Sequence, residues 1–320
     1  MSYQPPYTTT PAIILLIAEI SEKLGQLSVL QTQENDLRLH RINRIRTIHG
    51  SLAIEGNTLS ETQITAVLDG KTIIAPPREI QEVKNAIKAY EVLTQWQPTN
   101  ERDLLEAQQT LMEGLIDEIG CYRSAGVGVM KGAQVIHMAP PANRVGQLMA
   151  NLLDWLKNSD EHPLIRSCVF HYEFEFIHPF ADGNGRMGRL WQTLILSQWK
   201  SIFSDFPVES LIYLRQNDYY LALQKSATKA DCSPFIEFML QIILEGCTPQ
   251  VTPQVTPQVK QLILIMNGEM SKEDLMLALG LKDTKNFRQK YLLPAISENL
   301  VVMTQPNSPN SPTQKYRLKH

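Results

Sequence analysis

A single stretch, IHPFADGNGRMGRLW at residues 177–191, gathers one histidine, one acid, three glycines and two arginines. Gly183, Asn184 and Gly185 follow a proline-bearing turn and precede a segment of helical apolar spacing. Their amides would point outward at a helix N-terminus, a place suited to an anion. Glycine lets the backbone come close to that anion because no Cβ stands between them. Arg186 and Arg189, three apart, share a helix face and offer two guanidiniums to further phosphate oxygens. One phosphate would not need so much positive charge; a di- or triphosphate would. Asp182 supplies the hard carboxylate oxygen that Mg²⁺ prefers when it rides on phosphates. His178 ends the preceding helix, pinned by Pro179, with Phe180 as an anchor into the core. A neutral imidazole beside a metal-held phosphate can take a proton from an attacking hydroxyl near pH 7. Singly, an HP pair is a helix end and GNGR an ordinary turn. In this order they put base, metal ligand, anion nest and two arginines on one loop.

The elements that must hold this loop are mostly helices. The chain has 320 residues, 43% hydrophobic and 20% charged, enough for one large domain and a small one. Its formal charge of −3 gives no global pull toward nucleic acid. The four cysteines show no metal-ligand spacing, so reduced thiols in a cytoplasmic protein are expected. The apolar run AIILLIA at 12–18 is followed at once by Glu19 and reads as a core helix rather than a signal or membrane span. Apolar residues recur at helical spacing through PAIILLIAEISEKLGQL, NDLRLHRINRIRTIHGSLAIEGN, ETQITAVLDG, REIQEVKNAIKAYEVLTQW, ERDLLEAQQTLMEGLI, RVGQLMANLLDWLKN and LIRSCVFHYEFEFI, and again from Arg186 to about Trp199. The exception is AGVGVMKGAQVIHMAPP at 125–141, which reads as a β-hairpin. The expected class is mainly α with a short hairpin.

TPQVTPQVTPQV at 248–259 repeats one unit three times, and its prolines bar a continuous helix, which makes it a semi-extended linker. Beyond it, three helical segments and two strands around a Pro/Asn/Ser loop follow the order of a winged helix-turn-helix. Residues 259–320 hold nine basic residues, from Lys260 to Lys319, against five acidic ones, from Glu269 to Glu298. That excess would suit a DNA backbone, and it is equally an ordinary solvated surface.

HPFADGNGRMGR, His178 to Arg189, resembles the motif HxFx(D/E)GNGRxxR of the Fic family at every defined position. YRSAGVGV, the hairpin, RVGQLM and the NDYYLAL helix are similar to further landmarks of the family, over about residues 11–240, and a TPQV linker with a winged C-terminal unit also occurs there. The resemblance implies a helical Fic fold that moves AMP from ATP onto a protein hydroxyl and releases pyrophosphate. It implies His178 as base, Asp182 as Mg²⁺ ligand, and Gly183, Asn184 and Gly185 as anion hole. Arg186 and Arg189 would hold the β- and γ-phosphates, and Tyr220 would lie along the adenine, although an aromatic on a helix is more often core. Val135, Ile136, His137 and Met138 would form a flap that aligns the target segment by strand addition. His171 reads as a structural hydrogen-bonder. Doc-like kinases of this fold carry lysine where Gly185 stands, so the GNG form favours adenylylation; UMP or phosphocholine transfer stays open, because base and anion hole do not read the nucleotide.

SLAIEGN at 51–57 sets Glu55 on the last helical turn before Gly56, where the macrodipole disfavours an acid by about 0.3–1 kcal/mol, with Ser51 one turn back on the same face. From the helix alone Glu55 is a solvated acid. The stretch nevertheless resembles the inhibitory motif (S/T)xxxE(G/N) of Fic proteins, which implies that Glu55 pairs with Arg189 and keeps ATP in an unproductive pose. The expected organisation is an N-terminal helical region 1–95 carrying this motif, a Fic core 96–245, the linker 246–258 and the winged unit 259–320. The expected function is an autoinhibited protein adenylyltransferase, a homodimer acting on Ser, Thr or Tyr hydroxyls of other proteins or of itself, with Glu55 able to position a water for AMP removal. The alternatives are a DNA-binding regulator with a nucleotide-sensing core and a toxin-like enzyme restrained by a partner.

Overall fold

The computed structural model describes residues 3–30, 36–126, 128–131, 134–247, 257–266, 268–281, 283–297, 300–306, 311 and 313–318. The chain divides into two compact units, Met1–Thr248 and Pro249–His320. In the first unit the elements run α1 (Pro11–Leu30), α2 (Asp36–Ile54), α3 (Glu61–Leu68), α4 (Pro77–Val92), α5 (Glu101–Met112), β1 (Gly128–Lys131) and β2 (Gln134–Met138). After the hairpin come α6 (Ala142–Asn158), α7 (Pro163–Ile177), α8 (Asn184–Trp199), α9 (Val208–Leu214), α10 (Gln216–Lys229) and α11 (Ser233–Cys247). One apolar core runs from Ile13 to Cys247. No helix of the described residues is long and apolar enough to cross a membrane. AIILLIA lies in α1 but is not buried throughout as a core helix would be. Ile13 is fully buried and Leu16 and Ile17 partly, while Ile14 and Leu15 are 60% and 59% exposed, so α1 covers the core with one face only.

Helix starts follow local chemistry. Ser60 and Gln63 form a capping box on α3, Asn100 accepts from the Arg102 amide at 2.9 Å to cap α5, and proline opens α4 and α7. Helices α7 and α8 pack against each other through the middle of the core and are buried on nearly every side, carrying polar groups such as His171, Arg186, Arg189 and Gln192 into it. Trp191 of α8 stacks on Trp96 and donates to the Pro98 carbonyl at 2.9 Å. Buried Glu209 of α9 accepts from Tyr90 of α4 at 2.9 Å and from Thr193 of α8 at 3.0 Å, fixing three helices to one carboxyl whose pKa burial raises. Gly50 lets α2 touch α9 directly: a Cβ there would stand 2.6 Å from the backbone of Glu209 and Ser210. That contact brings the next residue, Ser51, toward α8.

Several boundaries differ from the sequence reading. Helix α8 begins at Asn184, two residues before Arg186, because the loop ahead of it is closed by side chains that override the low helix propensity of glycine. Helix α2 ends at Ile54, so Glu55 lies in the turn just beyond, where Gly56 takes φ +92° and the Gly56 and Asn57 amides bond back to Ala53 and Leu52. Helix α5 stops at Met112, ahead of Gly114 at φ +73°. Helices α9 and α11 were not expected.

In the second unit, α12 (Pro257–Ile265) is followed by β3 (Met270–Ser271) and α13 (Lys272–Ala278). Next, α14 (Thr284–Phe287) continues through a π-helical turn, Arg288–Leu292, into α15 (Leu293–Ser297), and β4 (Val301–Met303) and β5 (Lys315–Leu318) close the unit. The sheet order is β3-β5-β4, antiparallel throughout, so a third strand joins the expected two. Val259, Leu262, Leu275, Phe287 and Val301 form this unit's own core. Of the TPQV segment, 248–256 lie outside the described residues; α12 opens on Pro257 inside the last repeat.

Candidate active site

The loop between α7 and α8 is built by its own residues. His178 caps α7 in the left-handed region, φ 50° and ψ 61°, with its amide on the Phe174 carbonyl at 2.9 Å. A non-glycine residue there bears about 1–2 kcal/mol of strain, so other groups must hold it; one is Arg123, whose Nε donates to the His178 carbonyl at 2.7 Å. Pro179 stops the helix and Phe180 is fully buried against Phe174 and Tyr122. The Asn184 side chain closes the loop as a two-pronged clip: Oδ1 accepts from the Phe180 amide and Nδ2 donates to the Phe180 carbonyl, both at 2.9 Å. Its side chain is therefore spent on loop shape, and only its amide is left for an anion. Gly183 takes φ +84°, and a Cβ there would press on Met112 Sδ at 2.6 Å. The Gly183 amide donates to Asp182 Oδ1 at 2.6 Å. The first-turn amides of α8, from Asn184 onward, have no intrahelical acceptor.

The two arginines differ in their surroundings. Arg189 is 2% exposed. Its Nη2 donates to Glu55 Oε1 at 2.7 Å and to the Ser51 carbonyl at 2.9 Å, and its Nε donates to Ser51 Oγ at 3.3 Å. Burial alone would disfavour its charge, and Glu55, with smaller contributions from Tyr219 and Glu175, more than offsets that, holding the guanidinium above its usual pKa. Gly185 makes room for this pair, since a Cβ would collide with Glu55 Oε1 and stand 3.0 Å from Arg189 Nη1. Arg186 is also buried, with ion pairs at 3.4 Å to Asp182 and 3.6 Å to Glu82, yet its Nε and Nη1 make no hydrogen bond. Unspent buried donors on a guanidinium are costly and fit an incoming anion.

Asp182, its side chain 43% exposed, stands 3.4 Å from both Arg78 and Arg186. Among the described residues no cluster of three or more His, Cys, Asp or Glu could hold a metal by itself. A single exposed carboxylate beside an anion site fits a Mg²⁺ ion that takes most of its ligands from phosphates and water.

Around the pair, His171 accepts or donates at 2.7 Å with Gln192 and at 3.0 Å with Tyr219, and burial drives its pKa down to about 3, leaving it neutral. Glu175, on α7, has its carboxyl pushed up to about 7 by burial, partly countered by Arg189. Tyr220 of α10 is 37% exposed, and burial together with the Glu55 charge raises its phenol. Helix α10 is tied to the end of α2 by Gln216, which donates to the Ile54 carbonyl at 2.9 Å. Val135, Ile136, His137 and Met138 lie in β2, paired antiparallel to β1 with a bulge between Val129 and Met130; among the described residues the outer edge of β2 has no strand partner.

Sequence reasoning expected helix α4 but missed its part in the site. Its Glu82 pairs with Arg186, and Glu82 Oε2 accepts from Asn57 Nδ2 at 2.9 Å, so the last residue of SLAIEGN reaches the other arginine through one carboxylate. Arg78, one turn earlier, faces Asp182. REIQE showed only an i, i+4 charge pair of the kind found on solvated helices.

Residues 98–196 match the Fic/DOC family model, and residues 257–319 match the model for the filamentation induced by cAMP protein Fic-like, C-terminal domain. Protein adenylyltransferase Fic of Drosophila willistoni is 30% identical over 236 residues, 70% of this chain and 45% of its own length. The chain spans about half the length of the curated relatives it matches. Fic-1 (aa134–508) from C. elegans is 25% identical with a TM-score of 0.60, covering 74% of this chain and 69% of that one. A solved Fic family protein from Desulfovibrio desulfuricans G20 is 56% identical with a TM-score of 0.76, over 99% of this chain and 98% of its own. With that identity end to end, and the family motif built into the α7–α8 loop, this chain belongs to the Fic family.

Proposed function

We propose that the chain is a protein adenylyltransferase restrained by its own Glu55. The observation that carries this reading is the Glu55–Arg189 pair at 2.7 Å, joined to the loop that holds His178. The α8 amides and the unspent donors of Arg186 receive the phosphates of ATP. His178 takes the proton of an acceptor hydroxyl as its oxygen forms a bond to the α-phosphorus and the bond to the bridging oxygen breaks, so that AMP stays on the protein and pyrophosphate leaves. Asp182 would hold Mg²⁺, which draws charge off the phosphates when bound. With Arg189 engaged by Glu55, the γ-phosphate lacks one of its two cations, and the α-phosphorus is not brought into line. The adenylyltransferase names of relatives that align over most of this chain support the choice of AMP transfer. Incubation with α-labelled ATP and Mg²⁺, followed by a search for label on the chain and on lysate proteins, tests the reading; label from γ-labelled ATP alone would replace it with phosphoryl transfer.

Two further outcomes are expected. Asp182→Ala should cut Mg²⁺-dependent labelling by roughly tenfold or more, the low end of losses from disturbing a metal site. Because Asp182 also receives the Gly183 amide, Asp182→Asn is the control that keeps an acceptor; full activity of both variants over a Mg²⁺ titration would remove the metal assignment. Deleting 248–320 should leave labelling within about twofold, because the site and its core lie wholly in the first unit, which closes without those residues. If the folded truncation loses self-labelling, the second unit takes part as acceptor or as part of the assembly.

A further inference from the structure

Arg123 is 3% exposed and lies on neither motif. Besides the His178 carbonyl, its guanidinium donates to the Ile177 carbonyl at 3.3 Å, and its own amide donates to the Pro179 carbonyl at 2.9 Å. Three successive carbonyls, one on each side of the base and the base's own, are thus held by one residue. The remaining prongs reach the hairpin: Nη1 donates to Ala125, ahead of β1, at 2.9 Å, and Nη2 to Pro140, after β2, at 2.6 Å. All these acceptors are neutral carbonyls, and among the described residues no carboxylate pairs with Arg123. A charge buried on carbonyls alone costs stability that an apolar side chain would not, so the return must lie in geometry. Only the rigid planar fork of arginine can span acceptors in three directions.

We infer that Arg123 is the positioning residue that locks the backbone of His178 to both feet of the β1–β2 hairpin, fixing the offset between the base and the strand where an acceptor would dock. The inference rests on the proposed transfer reaction for its effect on rate, but not for the mechanical link itself. Strain at His178 gives the link a signature. Glycine adopts the left-handed backbone freely, so a side chain that holds His178 there matters less once residue 178 is glycine.

The test uses the full chain carrying Glu55→Gly, with Arg123→Met and Arg123→Lys. Self-labelling from α-labelled ATP should fall about 10²-fold in the methionine variant, the loss expected for a base misplaced by about 1 Å, and less in the lysine variant, which can still hold one or two carbonyls. Calorimetric affinity for an ATP analogue that cannot be cleaved at the α-phosphorus should stay within about twofold. Amide exchange at 134–140 and at 178–183 should accelerate together. The drop in unfolding midpoint caused by Arg123→Met should shrink in a His178→Gly background. Unchanged labelling in folded variants, nucleotide affinity lost in step with labelling, or equal midpoint losses in both backgrounds would each overturn the inference. If Glu55→Gly alone gives no label, the transfer reading fails, and exchange and midpoints still decide the link. Should the methionine variant not fold, the lysine variant carries every arm.

Discussion

His178→Ala is expected to lower AMP transfer by about 10²–10⁴-fold, the usual contribution of a positioned general base, while calorimetric ATP affinity stays within about twofold. The separation follows from how His178 is held. Its bonds to Phe174 and Arg123 are made by backbone atoms that alanine keeps, and the proposed phosphate ligands belong to α8 and its two arginines. Alanine keeps a Cβ, so the left-handed strain at this position persists and the loop has no new reason to move. His178→Asn, which tolerates left-handed backbone well, separates the imidazole from the cap: it should be as inactive as alanine with an unfolding midpoint nearer to wild type. If ATP affinity and transfer vanish together in folded alanine and asparagine variants, His178 shapes the loop and another group is the base.

The site was legible in proportion to how local it is. His178, Asp182, the GNG turn, Arg186 and Arg189 are consecutive on one loop and one helix face, so residue types and spacing alone suggested a phosphate site. Glu55 and Arg189 are 134 positions apart, and nothing in the spacing of either segment announces the other. That pair came from a motif resemblance, and its geometry, including the collision that only glycine at 185 avoids, needed the fold. Glu82 had no such help, and Arg123, although it lies in the YRSAGVGV stretch that resembles a family landmark, was given no role by it. Glu82 sits in a charged helix whose pattern is that of a solvated surface, and burial of its carboxylate depends on Asn57 and Arg186 from two other elements. Arg123 binds only carbonyls, which every residue has. In the fold, amphipathic helices were read well, whereas α11 was not: SPFIEFMLQIILEGC is apolar on nearly every side, and period loses its meaning when both faces are buried. Two-residue β3 is too short to show alternation.

Glu55→Gly is expected to raise adenylylation by roughly 10²-fold, on the scale that realigning a reacting atom supplies. In the folded chain Arg189 is 1% exposed at its side chain and its strongest contact is the Glu55 carboxylate, itself 37% exposed. Removing that carboxylate leaves a buried guanidinium with the Ser51 carbonyl and hydroxyl as its bonded partners, a state that a γ-phosphate relieves. The stability loss should be well below the ~3–5 kcal/mol of a broken, fully buried pair, because water screens a carboxylate more than a third exposed. ATP affinity should change less than turnover, since on the proposed reading the α8 amides and Arg186 hold nucleotide with or without Glu55 and the gain is one of alignment. Glu55→Gln, which keeps a hydrogen-bond acceptor without charge, should fall between wild type and Glu55→Gly. The decisive control is Glu55→Gly with Arg189→Ala: if release acts by freeing the arginine, the double variant loses most of the gain, and the two effects are strongly non-additive. A Glu55→Gly protein that is folded and as quiet as wild type toward itself and lysate proteins would return Glu55 to an ordinary turn acid. A gain that survives loss of Arg189 would mean that Glu55 blocks the nucleotide by its bulk over Gly185 and not through its partner.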